Sequence, residues 1–191
     1  MHCIFIHGPV ASGKLTVALA LQSLSGLPLH HNHLAVDAAL SLFPFGTEGF
    51  VRLREEIWLA VFREASSAGQ SFIFTFAPEA SVRRGLIDLL VESVEAVNGQ
   101  VFFVELTCSE PEIERRIEAA DRTKHRKLNS LTQYRELRDS GAFSFPSLPS
   151  PLLRVATDEL TPAEAAIAIQ TRVNRILKEE GTNDGFDSER E

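Results

Sequence analysis

The chain has 191 residues, of which 44% are hydrophobic and 24% charged, with a formal net charge of −7. That length suits one domain able to bury a sizeable core, and the composition is that of an ordinary globule rather than a disordered chain. The acidic balance argues against bulk nucleic-acid binding, which calls for a basic surface. No apolar run approaches the roughly 20 residues of a membrane span, and the first residues lack the basic leader of a secretory signal. A cytoplasmic protein with no membrane partner is the expectation. Cys3 and Cys108 lie far apart in apolar surroundings and match no metal spacing, which fits reduced thiols.

Cys3-Ile4-Phe5-Ile6-His7 is a short apolar run that leads directly into Gly8-Pro9-Val10-Ala11-Ser12-Gly13-Lys14-Leu15-Thr16. Residues 14–25 then carry apolar side chains at helical spacing. A strand, a glycine-bounded loop ending in Gly-Lys and a helix make the build of a phosphate-binding loop. Its backbone N–H groups turn onto phosphate oxygens, the helix N-terminus adds a favourable dipole, and Lys14 reaches the outer phosphates as a point charge. The bland alternative is a glycine-rich turn in an ordinary α/β protein. The hydroxyl residue that completes the full pattern is missing, because Leu15 stands there.

Gly26 and Pro28 end the first helix. Residues 27–33 read as a second strand carrying His30, His31, Asn32 and His33. Alternation would put His31 and His33 on one face. Zinc wants three or four ligands from separated segments, so polar groups lining a cleft or an incidental surface fit these residues better than a metal site. Asp37 follows at what reads as the end of a strand, where a carboxylate can accept a hydroxyl proton or hold a magnesium water; complementing a helix dipole is its alternative role.

A helix is expected over 48–67, with Arg52, Arg54, Glu55 and Glu56 in its first half. The arginines oppose the dipole there, which fits either a bound anion or a solvated face. Residues 71–76 form a continuous β-favouring run, as in a buried parallel strand. No Asp closes this strand, and Glu79 is the nearest substitute for a magnesium carboxylate. Ser81 is placed to cap a helix running to residue 97. A fourth strand is expected over 101–106, then a short helix over 113–120 behind a Ser109–Glu112 capping box. Residues 115–138 concentrate basic side chains, Arg115, Arg116, Arg122, Lys124, Arg126 and Lys127 among them. Such a segment could close over a triphosphate and neutralise charge in phosphoryl transfer, or could be a solvated run. Residues 141–151 are rich in Pro, Ser and Phe and exclude regular structure. A short strand over 152–156 precedes a helix over 162–178 that opens on a Thr161–Glu164 capping box. Residues 179–191 read as a disordered acidic tail.

Five alternations of strand and helix, with the loop after the first strand, predict a three-layer α/β/α domain over 1–178. Its five-stranded parallel sheet would carry ligands at the carboxyl ends of the strands. On the loop at 8–16 and this element order, the chain resembles the P-loop small-molecule kinases: shikimate and gluconate kinases, chloramphenicol phosphotransferase and nucleoside monophosphate kinases. The resemblance implies a P-loop NTPase fold with a small lid at about 115–138, ATP and Mg2+ as cofactors, and a small-molecule acceptor. It implies nucleotide contacts at Gly8, Ala11, Ser12, Gly13, Lys14, Leu15, Thr16, Arg116 and Arg154. Gly-Lys-Leu-Thr is similar to the Gly-Lys-Gly-Thr of adenylate kinases, which implies magnesium held through water near Thr16 and no direct metal ligand. Lys14, Asp37 and Arg122 take the catalytic places, and Asp37, Arg52, Arg54 and Glu79 the acceptor side. A nucleoside or nucleotide kinase, and a nucleotide-binding regulator or weak ATPase, stay open as alternatives, as does the choice between monomer and homodimer.

Overall fold

The computed structural model describes residues 1–119, 128, 130–145 and 148–183. A five-stranded parallel sheet lies at the centre, in the order β2(Leu29–His30), β3(Phe72–Phe76), β1(His2–His7), β4(Gln100–Thr107), β5(Leu153–Ala156). Among the described residues seven helices flank it: α1(Lys14–Ser25), α2(Asn32–Leu40), α3(Glu48–Ser67), α4(Leu86–Glu95), α5(Glu110–Ile117), α6(Leu131–Asp139) and α7(Pro162–Asn183). The predicted three-layer α/β architecture is the observed one.

The central strands are apolar throughout because both faces of the sheet are covered. Ile4 and Ile6 of β1 pack with Val17 and Leu21 of α1 and with Ile169 and Val173 of α7. Cys3 and Phe5 face the opposite way, into an aromatic layer closed by α3 and α4. There the Phe5 ring centroid lies 5.1 Å from that of Phe74 and 4.8 Å from that of Phe103. Trp58 and Phe62 of α3 meet Phe74 edge-on from above. Cys3 is buried, Cys108 half-buried, and both are free thiols.

Several boundaries follow the local chemistry. Gly26 ends α1 in the left-handed region and donates its N–H to Gln22 O at 2.9 Å, a conformation that costs glycine nothing. The capping box at α7 forms as expected, Thr161 N–H to Glu164 Oε2 at 2.8 Å and Glu164 N–H to Thr161 Oγ1 at 3.3 Å.

Others differ. The second strand is only two residues long, and α2 begins at Asn32. His31 therefore caps a helix and His33 lies in its first turn, so the strand alternation assigned to them does not exist. Asp37 sits in the second turn of that helix rather than just past a strand. α4 begins at Leu86 behind Gly85, so Ser81 does not cap it. The Ser109 box does not close, because Glu112 turns instead to Arg115 and Arg116. α7 runs to Asn183, beyond the predicted stop at residue 178.

The aromatic layer sets a stability expectation. Phe74→Ala, truncating a side chain with no exposed surface, should cost about 3–5 kcal/mol. The shift in urea midpoint at unchanged slope measures it.

Candidate nucleotide site

β1 stops at His7, and the chain turns into the loop at Gly8. A Cβ on Gly8 would lie 2.3 Å from Leu106 O of β4, so only glycine lets the chain leave the sheet this close to its neighbour. Ala11 (φ 62°) and Gly13 (φ 82°) are both left-handed. Ser12 N–H donates to Pro9 O at 3.2 Å, closing a tight turn. Gly13 precedes α1 and brings no capping side chain, which leaves the first N–H groups of that helix for an external acceptor. Ser12 is fully buried, and its Oγ has no hydrogen-bond partner. Lys14 Nζ folds back over the loop and donates to Gly8 O at 2.9 Å and Pro9 O at 2.6 Å. Together these groups form a cradle of donors topped by an ammonium, the arrangement a polyphosphate requires.

A second set of residues braces the loop from the β4–β5 side. The Thr157 hydroxyl lies 3.0 Å from Ser12 O and 3.1 Å from Thr107 O. It accepts from Arg116 Nη1 at 3.1 Å, while Arg116 Nη2 donates to Thr157 O at 2.6 Å. Arg116 Nε donates to Glu112 Oε1 at 2.7 Å, which fixes the plane of the guanidinium beside Gly13. Hydrogen bonds from Arg115 and Arg116 hold the Glu112 carboxyl down to about 2. The carboxylate therefore stays charged at any physiological pH. Thr157 does not stand out in the sequence, and Glu112 does so only as part of the Ser109–Glu112 pattern. Their partners are 145 and 4 residues away, and only the fold brings the distant one close.

The remaining predicted residues are dispersed. Thr16 is exposed and Leu15 half-buried at the start of α1. Asp37 is exposed on α2. Arg52 pairs with Glu48 on the solvent side of α3 at 3.6 Å. Arg54 is fully buried and bonds the Glu79 carboxylate and Ser81 Oγ at 3.3 Å, so the solvated-face reading fails for it. Arg154 is bonded to Glu105 at 2.7 Å on the edge of the sheet rather than beside the loop. Arg122, with Lys124, Arg126 and Lys127, lies outside the described residues. The flanking helices α5 and α6 are clamped together by Arg135–Glu114 at 2.6 Å and Arg138–Glu110 at 2.6 Å. Among the described residues no cluster of three His, Cys, Asp or Glu could hold a metal ion. Leu15 brings no side-chain oxygen to the start of α1.

His7, 6% exposed, adjoins the loop at the end of β1. Burial pushes its imidazole down to about 4; Glu105 pulls the other way, and Lys14 adds to the depression. The ring is therefore uncharged at neutral pH.

No protein-family profile matches the chain, and no curated protein sequence does. Solved structures do. A sugar kinase from Janibacter sp. superposes with a TM-score of 0.63 at 18% identity, over 91% of this chain and 95% of that one. The APS kinase of Mycobacterium tuberculosis, in complex with AMPPNP and APS, gives 0.62 at 14% identity, over 91% and 97%. A gluconokinase from Sinorhizobium meliloti gives 0.59 at 21% identity, over 94% and 97%. The fold is that of the P-loop small-molecule kinases.

The His7 environment predicts a pH effect. Its folded-state value lies below the unfolded one, so the folded state resists protonation and stability is lost as pH falls from about 6.5 towards 4. The loss attributable to His7 should approach roughly 3 kcal/mol. Chemical denaturation at pH 7 and pH 4.5 measures it, and a His7→Gln variant should show a correspondingly flatter profile.

Proposed function

We propose that this chain is an ATP-dependent kinase that transfers the γ-phosphoryl group of ATP to a hydroxyl of a small molecule. The observation that carries this reading is the donor cradle at residues 8–16, with Lys14 Nζ poised above it and its loop braced by Thr157 and Arg116. The fold shared with three kinases supports it.

ATP would lie with its phosphates on the N–H groups of residues 11–16, its base end towards Arg116. Ser12 Oγ, buried without a partner, suits a phosphate oxygen that replaces the missing hydrogen bond. Magnesium would arrive with the nucleotide, held by phosphate oxygens and water. Lys14 would leave its two carbonyl partners for the β- and γ-phosphates and offset the charge that builds there. In the transfer the bond from the γ-phosphorus to the bridging oxygen breaks and a bond to the acceptor oxygen forms. The acceptor proton would pass to Asp37 and the basic segment at 115–138, Arg122 included, would close over the phosphates. A nucleotide-binding regulator or weak ATPase is the second reading, favoured by Leu15 where a metal-binding hydroxyl is usual. It requires nucleotide binding without acceptor-dependent turnover.

An ADP-release assay over a panel of hydroxylated compounds tests the reading. Lys14→Ala should lower kcat/KM for any acceptor found by about 10²-fold or more; unchanged turnover would sink the assignment of the loop. Asp37→Asn should lower kcat by roughly 10²–10⁴-fold while leaving nucleotide affinity intact.

A further inference from the structure

α3 carries a stripe of buried residues every fourth position: Phe50, Arg54, Trp58, Phe62 and Ser66. Phe62 covers Phe72 and Phe74, and Trp58 covers Phe74 and Phe76 at the carboxyl end of β3. One turn further, a rise of about 5.4 Å, the stripe has run off the end of the sheet. There it reaches the edge where open α/β folds bind ligands. The residue at that point is Arg54, in a core stripe that is otherwise mostly apolar.

Two carboxylates pair with its charge, although Nε and Nη2 are buried without a hydrogen-bond partner. The guanidinium lies between two aromatic faces, 5.1 Å from the Phe50 centroid and 4.8 Å from the Trp58 ring. Nη1 bonds the Glu79 carboxylate, just past β3. Nη2 lies 3.7 Å from Oε1 of Glu55, which is itself fully buried. Glu55 in turn accepts from Arg83 N at 2.8 Å and from Arg83 Nε. Two arginines and two glutamates interlock α3 with the segment after β3, with no net charge. Burial drives the Arg54 guanidinium down and the Glu79 carboxyl up from their ordinary values, against the pull of their own pairing. Glu79 keeps 18% of its side chain exposed while Arg54 has none. A ligand at this edge therefore meets the carboxylate rather than the cation.

Among the described residues the neighbouring groups bring little net positive charge. At the end of β2 burial pushes His30 down, and His31 pushes it further. At the end of β1 His7 is uncharged at neutral pH. Arg52 faces solvent beside Glu48, and exposed Arg84 lines a cavity together with Asp88.

We propose that the acceptor is an uncharged polyhydroxylated molecule, recognised by Glu79 with Arg54 as the residue that positions that carboxylate. This rests on the kinase reading above. A hydroxyl donating to a carboxylate makes a charge-assisted hydrogen bond, whereas a carboxylate or phosphate brought to the same place meets Glu79 and a cation already neutralised. Of the two arginines that could serve a second phosphate, Arg54 is held behind Glu79 and Arg52 pairs with Glu48 at the surface, which disfavours a nucleoside monophosphate acceptor.

The decisive probe is inorganic sulfate, with MgADP filling the phosphate loop and ionic strength held constant. The wild type should show no saturable rise in Tm with sulfate. Glu79→Gln, which uncovers Arg54, should gain one, and adding Arg54→Met should abolish it. A saturable rise in the wild type that Arg54→Met removes overturns the proposal, as does a folded Glu79→Gln variant that gains none. If Glu79→Gln does not fold, wild-type crystals of the MgADP complex soaked in selenate decide. Anomalous density at the Arg54 guanidinium overturns the proposal, and its absence there upholds it. Among matched pairs such as glucitol and gluconate, or a nucleoside and its monophosphate, the uncharged member of any pair turned over should be favoured by about tenfold or more; preference for the anion overturns the proposal. A chain that fails to bind MgADP loses the kinase reading and this proposal with it. One that binds MgADP and also holds sulfate at Arg54 loses this proposal alone.

Discussion

The constraint on which the rest depends is the contact between Gly8 and the carbonyl of Leu106. The backbone leaves β1 so close to β4 that a single added carbon would collide with the neighbouring strand. That closeness keeps the loop directly over the sheet and starts α1 above the carboxyl end of the strands. A phosphate-binding loop works through backbone N–H groups, so its donors are only as well aimed as the main chain is fixed. Here the fixing is done by neighbours: β4 below Gly8, Thr157 against Ser12 O, and Arg116 against Thr157.

The two halves of the site are built from different physics. The loop half uses main-chain dipoles and one ammonium, all near the first turn of α1. The α3 edge uses an ionic cluster in which Arg54 and Glu55 are wholly buried. Buried ion pairs return little net stability, because desolvation offsets the attraction. A well-packed apolar cluster could replace them without loss of fold. The stripe on α3 shows the transition within one helix: Phe62 and Trp58 serve the core, and Arg54, one turn later, serves the edge.

The fold was largely legible in the chain. Apolar runs at 3–6, 72–76 and 101–106 became strands because they were buried on both faces, and Gly26 and the Thr161–Glu164 box marked helix ends through local hydrogen bonds. Errors fell where local and long-range demands competed. Residues 27–33 had strand-like composition, but Asn32 N–H donates to Thr75 Oγ1 at 3.0 Å, and the chain turns into α2 there. Ser109 had the pattern of a cap, but the arginines at 115 and 116 drew Glu112 away from it.

The sequence by itself determined the loop, since a glycine pair, a lysine and their flanking strand and helix are local in the chain and their chemistry is carried by the backbone. It also determined the alternation that makes a parallel sheet. Only the tertiary structure decided which charges remain available. Arg52 and Arg54 are two residues apart and read alike, yet one faces solvent and the other lies in the core behind Glu79. The difference arises because 3.6 residues per turn put them on opposite sides of α3, and because the partner that neutralises Arg54 is 25 residues further along the chain.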